Sequence, residues 1–534
     1  MATHDYVIAN GTGSAVRSDL NNALAAIVSQ NSSSSEPGTT YAYQIWVDTN
    51  NNKIKLRNSA NNAWLEVGKT DGGVLSVTDA LINSITVGRG AGDVSTNTVV
   101  GSQALDANTT GSSSVAIGAE ALGANTSGSS NTAVGYHALE NNSTANNNTA
   151  VGHQALEVNT TGAGNVAVGQ GALNANTTAF NNTAVGNEAL NDNTTGTKNT
   201  AVGSLALDVN TTADSNTAVG YASLGANTTG TENVAVGSLA LDEVTTANYN
   251  TAVGSQALSA GGNGEKNTAV GRAALNANTS ADNNTAVGYN AMLDNTTGAN
   301  NTAVGSQALD ANTTAFNCTA IGANCLTSSN SSNNTGVGSS CLALNSSGSN
   351  NAALGINAAY NNTTGNQNVA IGRNSLFSNT TGGGNTAVGD KALDANTTAN
   401  NNTAGGINAL AGNTTGANNT AFGAYSLDAN TSADNNTAFG YAALSANTTG
   451  ILNTAVGVNA LTANTKGDRC VAVGHNALSS MNITTSTHMY NVAVGLNALS
   501  QTTTGQYNVA VGGDCCNTQT TATNNTGVGH GALY

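Results

Sequence analysis

The sequence predicts an all-β protein, a parallel β-roll or β-helix solenoid of 17-residue coils preceded by a small α+β domain. Three observations predict it. A glycine recurs at one slot with a spacing of 17, as at Gly118, Gly135, Gly152 and Gly169. The apolar stretches around it are only four or five residues long and rich in β-branched residues, which suits strands and not helices. Between them runs a polar segment such as Asn-Thr-Thr-Gly, which is turn chemistry.

Residues 1–70 do not repeat and hold both tryptophans, the only proline and five of the 13 basic residues. They read as a separate domain. Val16 to Ser29 clusters apolar positions at helical spacing behind a Gly-Thr-Gly-Ser lead-in, and Tyr43 to Gly68 reads as three strands joined by Asn-rich turns. Residues 71–94 form a transition, and residues 95–534 form the solenoid. Its repeat glycine marks 26 coils from Gly101 to Gly529, broken only by a 16-residue step from Gly322 to Gly338 and a 21-residue step from Gly474 to Gly495. So strict a period specifies stacked supersecondary units.

Within a coil, Asn131 to Leu139 serves as the example. One strand is expected over Asn-Thr-Ala-Val-Gly and a second over Ala-Leu. Stacked about 4.8 Å apart, 26 coils would make a rod on the order of 120 Å. Side chains alternate across a strand, so Thr132 and Val134 face one side and Ala133 the other. The expectation is that Thr and Val fill the roll, while the invariably small Ala column meets the backbone of a neighbouring copy in a cyclic homo-oligomer. The Asn columns at Asn148, Asn165 and Asn182 and at Asn108, Asn125 and Asn159 read as amide ladders, although Asn-Thr-Thr also matches the N-glycosylation pattern.

Charged residues are 8% of the chain and the formal net charge is -16, so no basic surface exists for nucleic acid or an anionic membrane. No apolar run reaches the roughly 18 residues of a membrane-spanning helix. The start of the sequence carries no secretory pattern, so synthesis in a cytoplasm is expected. All six cysteines occupy repeat slots: Cys325, Cys341 and Cys515 replace an Ala, Cys516 a Leu, and Cys318 and Cys470 an Asn. They read as buried thiols.

Histidines His137, His153, His475 and His530 sit just after the repeat glycine, in columns expected to face solvent. No metal or cofactor is assigned to them. Asp106, Asp208, Asp310 and Asp394 recur after the Leu and read as turn residues. No pair of carboxylates stands apart in the two different environments that hydrolysis of a polysaccharide needs, so no catalytic residue is assigned and the protein reads as non-enzymatic. The 21-residue coil gathers Met481, His488, Met489 and Tyr490 into a candidate receptor-contact loop. Tyr136, Tyr221, Tyr289 and Tyr441 offer further aromatic faces for a glycan. The last coil, residues 512–534, shows no polar cap and is expected to dock another protein.

Two resemblances add to this reading. Ile45-Trp-Val-Asp-Thr, Ile54-Lys-Leu-Arg-Asn and Ala63-Trp-Leu-Glu-Val resemble the N-terminal region of bacteriophage tail fibre proteins, especially those of cyanophages. Asn233-Val-Ala-Val-Gly and Asn368-Val-Ala-Ile-Gly resemble the head repeats of trimeric autotransporter adhesins. The second resemblance implies a left-handed, homotrimeric β-roll, although the repeat here is longer than the adhesin unit and the generic crossover preference is right-handed. Together they imply a virion fibre whose residues 1–70 attach to virion or other fibre proteins, whose residues 512–534 dock a distal fibre or tip protein, and whose solenoid reaches toward a host surface receptor, with a glycan as one candidate. A bacterial surface adhesin and an ice-binding solenoid are the competing expectations.

Overall fold

The computed structural model describes residues 12–28, 32–38, 40–71, 74–76, 79–82, 85–260 and 262–534. His4 and Ser29 fall outside them. The chain divides into two compact units, Met1–Asn181 and Asn182–Tyr534. Both are built from the same 17-residue parallel β-solenoid coil, and the first also carries the N-terminal domain.

That domain opens with helix α1, Gly13–Val28. A five-stranded sheet follows, in the order β1 (Ser32–Ser33), β2 (Ile45–Asp48), β3 (Lys53–Arg57), β4 (Trp64–Asp71) and β5 (Val74–Ser76). β1 runs parallel to β2, and the other neighbours are antiparallel. Both tryptophans are held here. Their rings lie 5.3 Å apart, the Lys55 ammonium sits 4.5 Å over Trp46, and the Arg57 guanidinium 5.2 Å over Trp64.

Asp48 closes the turn after β2. Its carboxylate accepts from the backbone N–H groups of Asn50 and Asn51 and from Lys55 Nζ at 2.8 Å. Desolvation alone would raise this carboxyl, but the hydrogen bonds from Asn51 and Lys55 and the Lys55 charge outweigh it and bring it from 3.8 down to about 2.

The antiparallel strands β6 (Asp79–Ile82) and β7 (Ile85–Gly88) lead into β8 (Thr98–Gly101). β8 pairs antiparallel with β7 on one side and parallel with Val115–Ile117 on the other. The hairpin therefore covers the first solenoid edge, and parallel stacking begins at β8.

From β8 onward each coil contributes to the main sheet one three- or four-residue strand in unshifted register, such as Thr132↔Thr149, Ala133↔Ala150 and Val134↔Val151. The expected second strand is absent. The Ala-Leu segment bends instead, with positive φ at alternate residues, 57° at His137 and 52° at Leu139. Its backbone is still bonded from coil to coil. Gly135 N–H donates to Ile117 and His137 N–H to Ala119, while Leu139 N–H donates to Ala155 and Asn141 N–H to Glu157. Alternating φ keeps the peptide groups directed along the stack, so a tight corner is turned without orphaning them. The left-handed conformation costs a leucine about 1–2 kcal/mol, and complete burial of its side chain returns about 1.5–3 kcal/mol. Leu139 and its counterparts from Leu105 to Cys516 are buried, and only Leu533 in the last coil is exposed.

The strand is inverted relative to expectation. The Ala column faces inward, with Ala133, Ala150 and Ala184 at 0% exposure within a single chain. The Thr and Val columns beside it are half-buried or exposed. Alanine is small because the roll is thin, and not because a neighbouring copy presses on it. The exceptions show what it faces. A Cβ built at Gly336 would lie 2.5 Å from Cys325 Sγ and 3.5 Å from Leu326 Cδ1, and one at Gly527 would lie 2.7 Å from Cys516 Sγ. Both glycines of the alanine column thus lie against thiols that replace the opposing Ala or Leu. Gly336→Ala is therefore expected to cost about 1–3 kcal/mol by overpacking, and adding Cys325→Ala to restore most of it. Denaturant titration of both variants checks this; additive losses would contradict it.

Both Asn columns form ladders. Asn125 Nδ2 donates to Asn108 Oδ1 at 3.2 Å, and Asn142 Nδ2 to Asn125 Oδ1 at 2.9 Å. In the other column, Asn131 Nδ2 donates to the Ala145 carbonyl at 2.8 Å, while its Oδ1 accepts the Asn148 N–H at 3.0 Å. That carbonyl lies 14 residues ahead, so the bond measures the length of the coil. Cys318 and Cys470, which replace the Asn, immediately precede the 16- and 21-residue steps. Cys318 Sγ still meets the equivalent carbonyl, Ser331, at 3.3 Å and now 13 residues ahead, whereas Cys470 Sγ lies beside the Asp468 carbonyl and the Met481 sulfur; a weakly bonding thiol tolerates both settings.

The aspartates after the Leu are partly buried. Desolvation raises Asp208, Asp242, Asp310, Asp394 and Asp428 above their ordinary 3.8. A raised folded-state pKa favours the fold fully below the unfolded value, and that stability is lost as pH rises through the folded value. The solenoid transition temperature is thus expected to rise as pH is lowered from 7 toward 4. The N-terminal domain should do the reverse, losing stability below about pH 4 as Asp48 is protonated. Calorimetry from pH 7 to about pH 2 checks both signs; a solenoid that weakens steadily from pH 7 to 4 would contradict the first.

Candidate functional surface

The 21-residue coil widens the roll by four residues. Its short strand Thr487–His488 pairs parallel with Gly467–Asp468 of the preceding coil. Met481 and Met489 do not join a contact loop; both are fully buried. A Cβ placed on Gly467 would lie 3.1 Å from Met481 Cε and from Met489 Cγ. Met481 stands seven residues after Gly474, the slot of the Asn ladder, and its sulfur lies 3.8 Å from Cys470 Sγ. Flexible thioethers fill the enlarged interior where the amide ladder is interrupted.

His488 and Tyr490 do reach the surface. Tyr490 stacks on Tyr507 with centroids 5.6 Å apart and rings 14° from parallel. The Arg469 guanidinium lies 5.4 Å from the Tyr490 ring and donates to its hydroxyl. His488 Nδ1 is 3.2 Å from Asp468 Oδ2, and its ring meets Tyr490 edge-on at 6.0 Å. Two parallel phenol faces flanked by a guanidinium and an imidazole make a platform with an apolar plane and polar rim, suited to stacking on a sugar ring. Tyr507 was not singled out from sequence, although its place 17 residues after Tyr490 puts it directly above.

The outward strand columns form a second surface. Val253, Val304, Ile321, Leu354, Ile371, Val388, Phe422 and Phe439 all occupy the slot before the repeat glycine and are exposed. Phe422 and Phe439 stack at 5.7 Å. Tyr221, Tyr289 and Tyr441, just after the glycine, are exposed beside them, and so is Tyr136 in its own unit. Aligned apolar residues repeated over many coils exceed the isolated apolar side chains of an ordinary surface.

The cysteines are all buried and unpaired. Cys325 and Cys341 stack in adjacent coils with Sγ atoms 3.2 Å apart. His137 departs from the expected solvated column: its imidazole is enclosed by Glu120, Glu140 and Glu157. Among the described residues no helix is long and apolar enough to cross a membrane.

These features define a parallel β-solenoid repeat protein with an aromatic platform and an apolar sheet face. No family model, curated protein or solved structure matches the chain.

Proposed function

We propose that the protein is a structural virion fibre of the phage tail-fibre type, in which three identical chains associate through their outward strand faces. The solenoid acts as a shaft, residues 1–70 attach it to the virion or to another fibre protein, and residues 512–534 dock a distal segment. The observation that carries this reading is the ordered column of exposed Val, Ile, Leu and Phe side chains. Burying one such side chain is worth about 1.5–3 kcal/mol, so a column of them favours association strongly. In-register repetition suits a symmetric partner whose own columns have the same spacing. The Tyr490–Tyr507 platform then serves host-surface recognition, with a glycan as the ligand class.

Sedimentation equilibrium of the full chain, with immuno-electron microscopy of the source particle using antibody to residues 1–70, tests the proposal. Three copies and label on particle fibres are expected. A monomer, or label on a cell envelope, would overturn it, the second outcome favouring a surface adhesin.

One observation favours a second reading. Thr251, Thr268, Thr285 and Thr302 stack in direct register on the outward face. A regular Thr array left open to solvent could order water as an ice-binding surface does. This requires the monomer that the fibre excludes, and thermal hysteresis in a monomeric sample would establish it.

A further inference from the structure

In the first unit the residues two places after the repeat glycine face those five places after it on neighbouring coils. Glu120 and His137 hold the first kind of slot; Glu140 and Glu157 hold the second. Their side chains converge. His137 Nδ1 lies 2.9 Å from Glu140 Oε2 and 3.3 Å from Glu157 Oε1, and Nε2 lies 3.5 Å from Glu120 Oε2. Nε2 is buried without a hydrogen-bond partner. A cleft of about 210 Å³, lined by Gln103, Asp106, Glu120 and Glu140, opens beside it. Donor atoms of Glu120, His137 and Glu140 all fall within 4.8 Å of one another.

We propose that Glu120, His137 and Glu140 bind one divalent transition-metal ion of the zinc class, with His137 Nε2 as the nitrogen ligand. Three carboxylates against one imidazole leave a surplus of negative charge that a dication neutralises. The donor set of one nitrogen and carboxylate oxygens suits zinc and its neighbours, whereas calcium and magnesium prefer oxygen alone. Ligand bonds of about 2.1 Å require donors about 3.4 Å apart; Glu120 already stands 3.5 Å from Nε2, and the partly exposed Glu140 side chain would turn from the Nδ1 edge to the Nε2 edge to join it. Glu157 is the positioning residue. Asn174 Nδ2 donates to its Oε2 at 2.8 Å, and its other oxygen faces Nδ1 beside the Glu140 carboxylate; with Glu140 turned to the metal, Glu157 alone holds the imidazole proton at Nδ1 and leaves the Nε2 lone pair for the metal. The ligands come from two consecutive coils, so the ion would clamp the stack near its first rungs.

The test is a Co²⁺ titration of the tag-free, chelator-stripped full chain, followed by visible absorption and by Zn²⁺ displacement. One saturable ion per chain is expected, displaced by Zn²⁺ but not by equimolar Mg²⁺. His137→Gln should weaken binding at least about tenfold, Glu157→Gln about tenfold, and His475→Gln not at all. Glutamine already fills the His137 slot at Gln103 and Gln154, with the same φ of 57°, so the fold accepts it. Should that variant nonetheless misfold, Glu120→Gln with Glu140→Gln gives the same reading. No saturable binding, undiminished binding by the folded variants, or displacement by equimolar Mg²⁺ would overturn the proposal.

Discussion

Gly288→Ala is expected to cost about 3–5 kcal/mol and to open the stack locally. Gly288 has φ of 142°, a region that side-chain-bearing residues rarely enter. A Cβ there would lie 2.4 Å from the carbonyl oxygen of Gly305 and 2.6 Å from its carbonyl carbon. Neither can yield, because Gly305 is stacked in the same way on Gly322. Strain and clash therefore act together, and moving one coil would part it from both neighbours. Denaturant unfolding measures the loss, and limited proteolysis should show a new cut near residue 288. A variant within about 1 kcal/mol of the parent would contradict the close approach of the glycine columns.

Asn216→Ala is expected to cost about 2–4 kcal/mol without any clash. Asn216 Nδ2 donates to the Gly230 carbonyl at 2.8 Å, and its Oδ1 accepts the Asn233 N–H at 2.9 Å. Truncation leaves the Asn233 amide buried and unpaired, at about 1–3 kcal/mol, and reduces the Gly230 carbonyl to its one remaining bond from Asn227 Nδ2 at 3.0 Å, with some cavity cost besides. Asn216→Asp keeps the acceptor but loses the donor and buries a charge, so it should be at least as damaging at pH 7 and recover as pH falls. Urea denaturation at pH 7 and pH 4 separates the two variants. If the aspartate variant did not improve in acid, the buried ladder would be the wrong description.

Much of the fold can be read from the chain because its repeat is strict. Spacing of the glycines sets the coil, short β-branched stretches set the strand, and the Asn columns announce their ladders. Alternation gives which residues share a face, but it does not say which face is inside. Ala133 reads equally well as a residue pressed by a neighbour and as one enclosed in a narrow roll. The pairing of Gly336 with Cys325 and Cys341, and of Gly527 with Cys515 and Cys516, carries the answer, since compensating sizes imply contact within one chain. Ala-Leu resembles a strand by composition, and only its alternating φ reveals the corner.

The candidate sites were less legible for the same reason. Counting seven residues from Gly474 places Met481 in the ladder slot, inside the roll, yet its local company of polar residues suggests a surface loop. Glu120, His137, Glu140 and Glu157 are scattered along the chain and meet only because two columns face each other across neighbouring coils. That relation depends on how the corner turns.

The most direct measurement is disulfide trapping across the stack. Thr285 and Thr302 pair face to face in adjacent coils, at the strand separation of about 4.8 Å that a disulfide can span. In a background with the native cysteines replaced, cysteines at 285 and 302 should crosslink within one chain under mild oxidation. Cysteines at 285 and 303 should not, because Ala303 faces the interior. Efficient crosslinking of the second pair, or none of the first, would contradict an in-register stack of 17-residue coils.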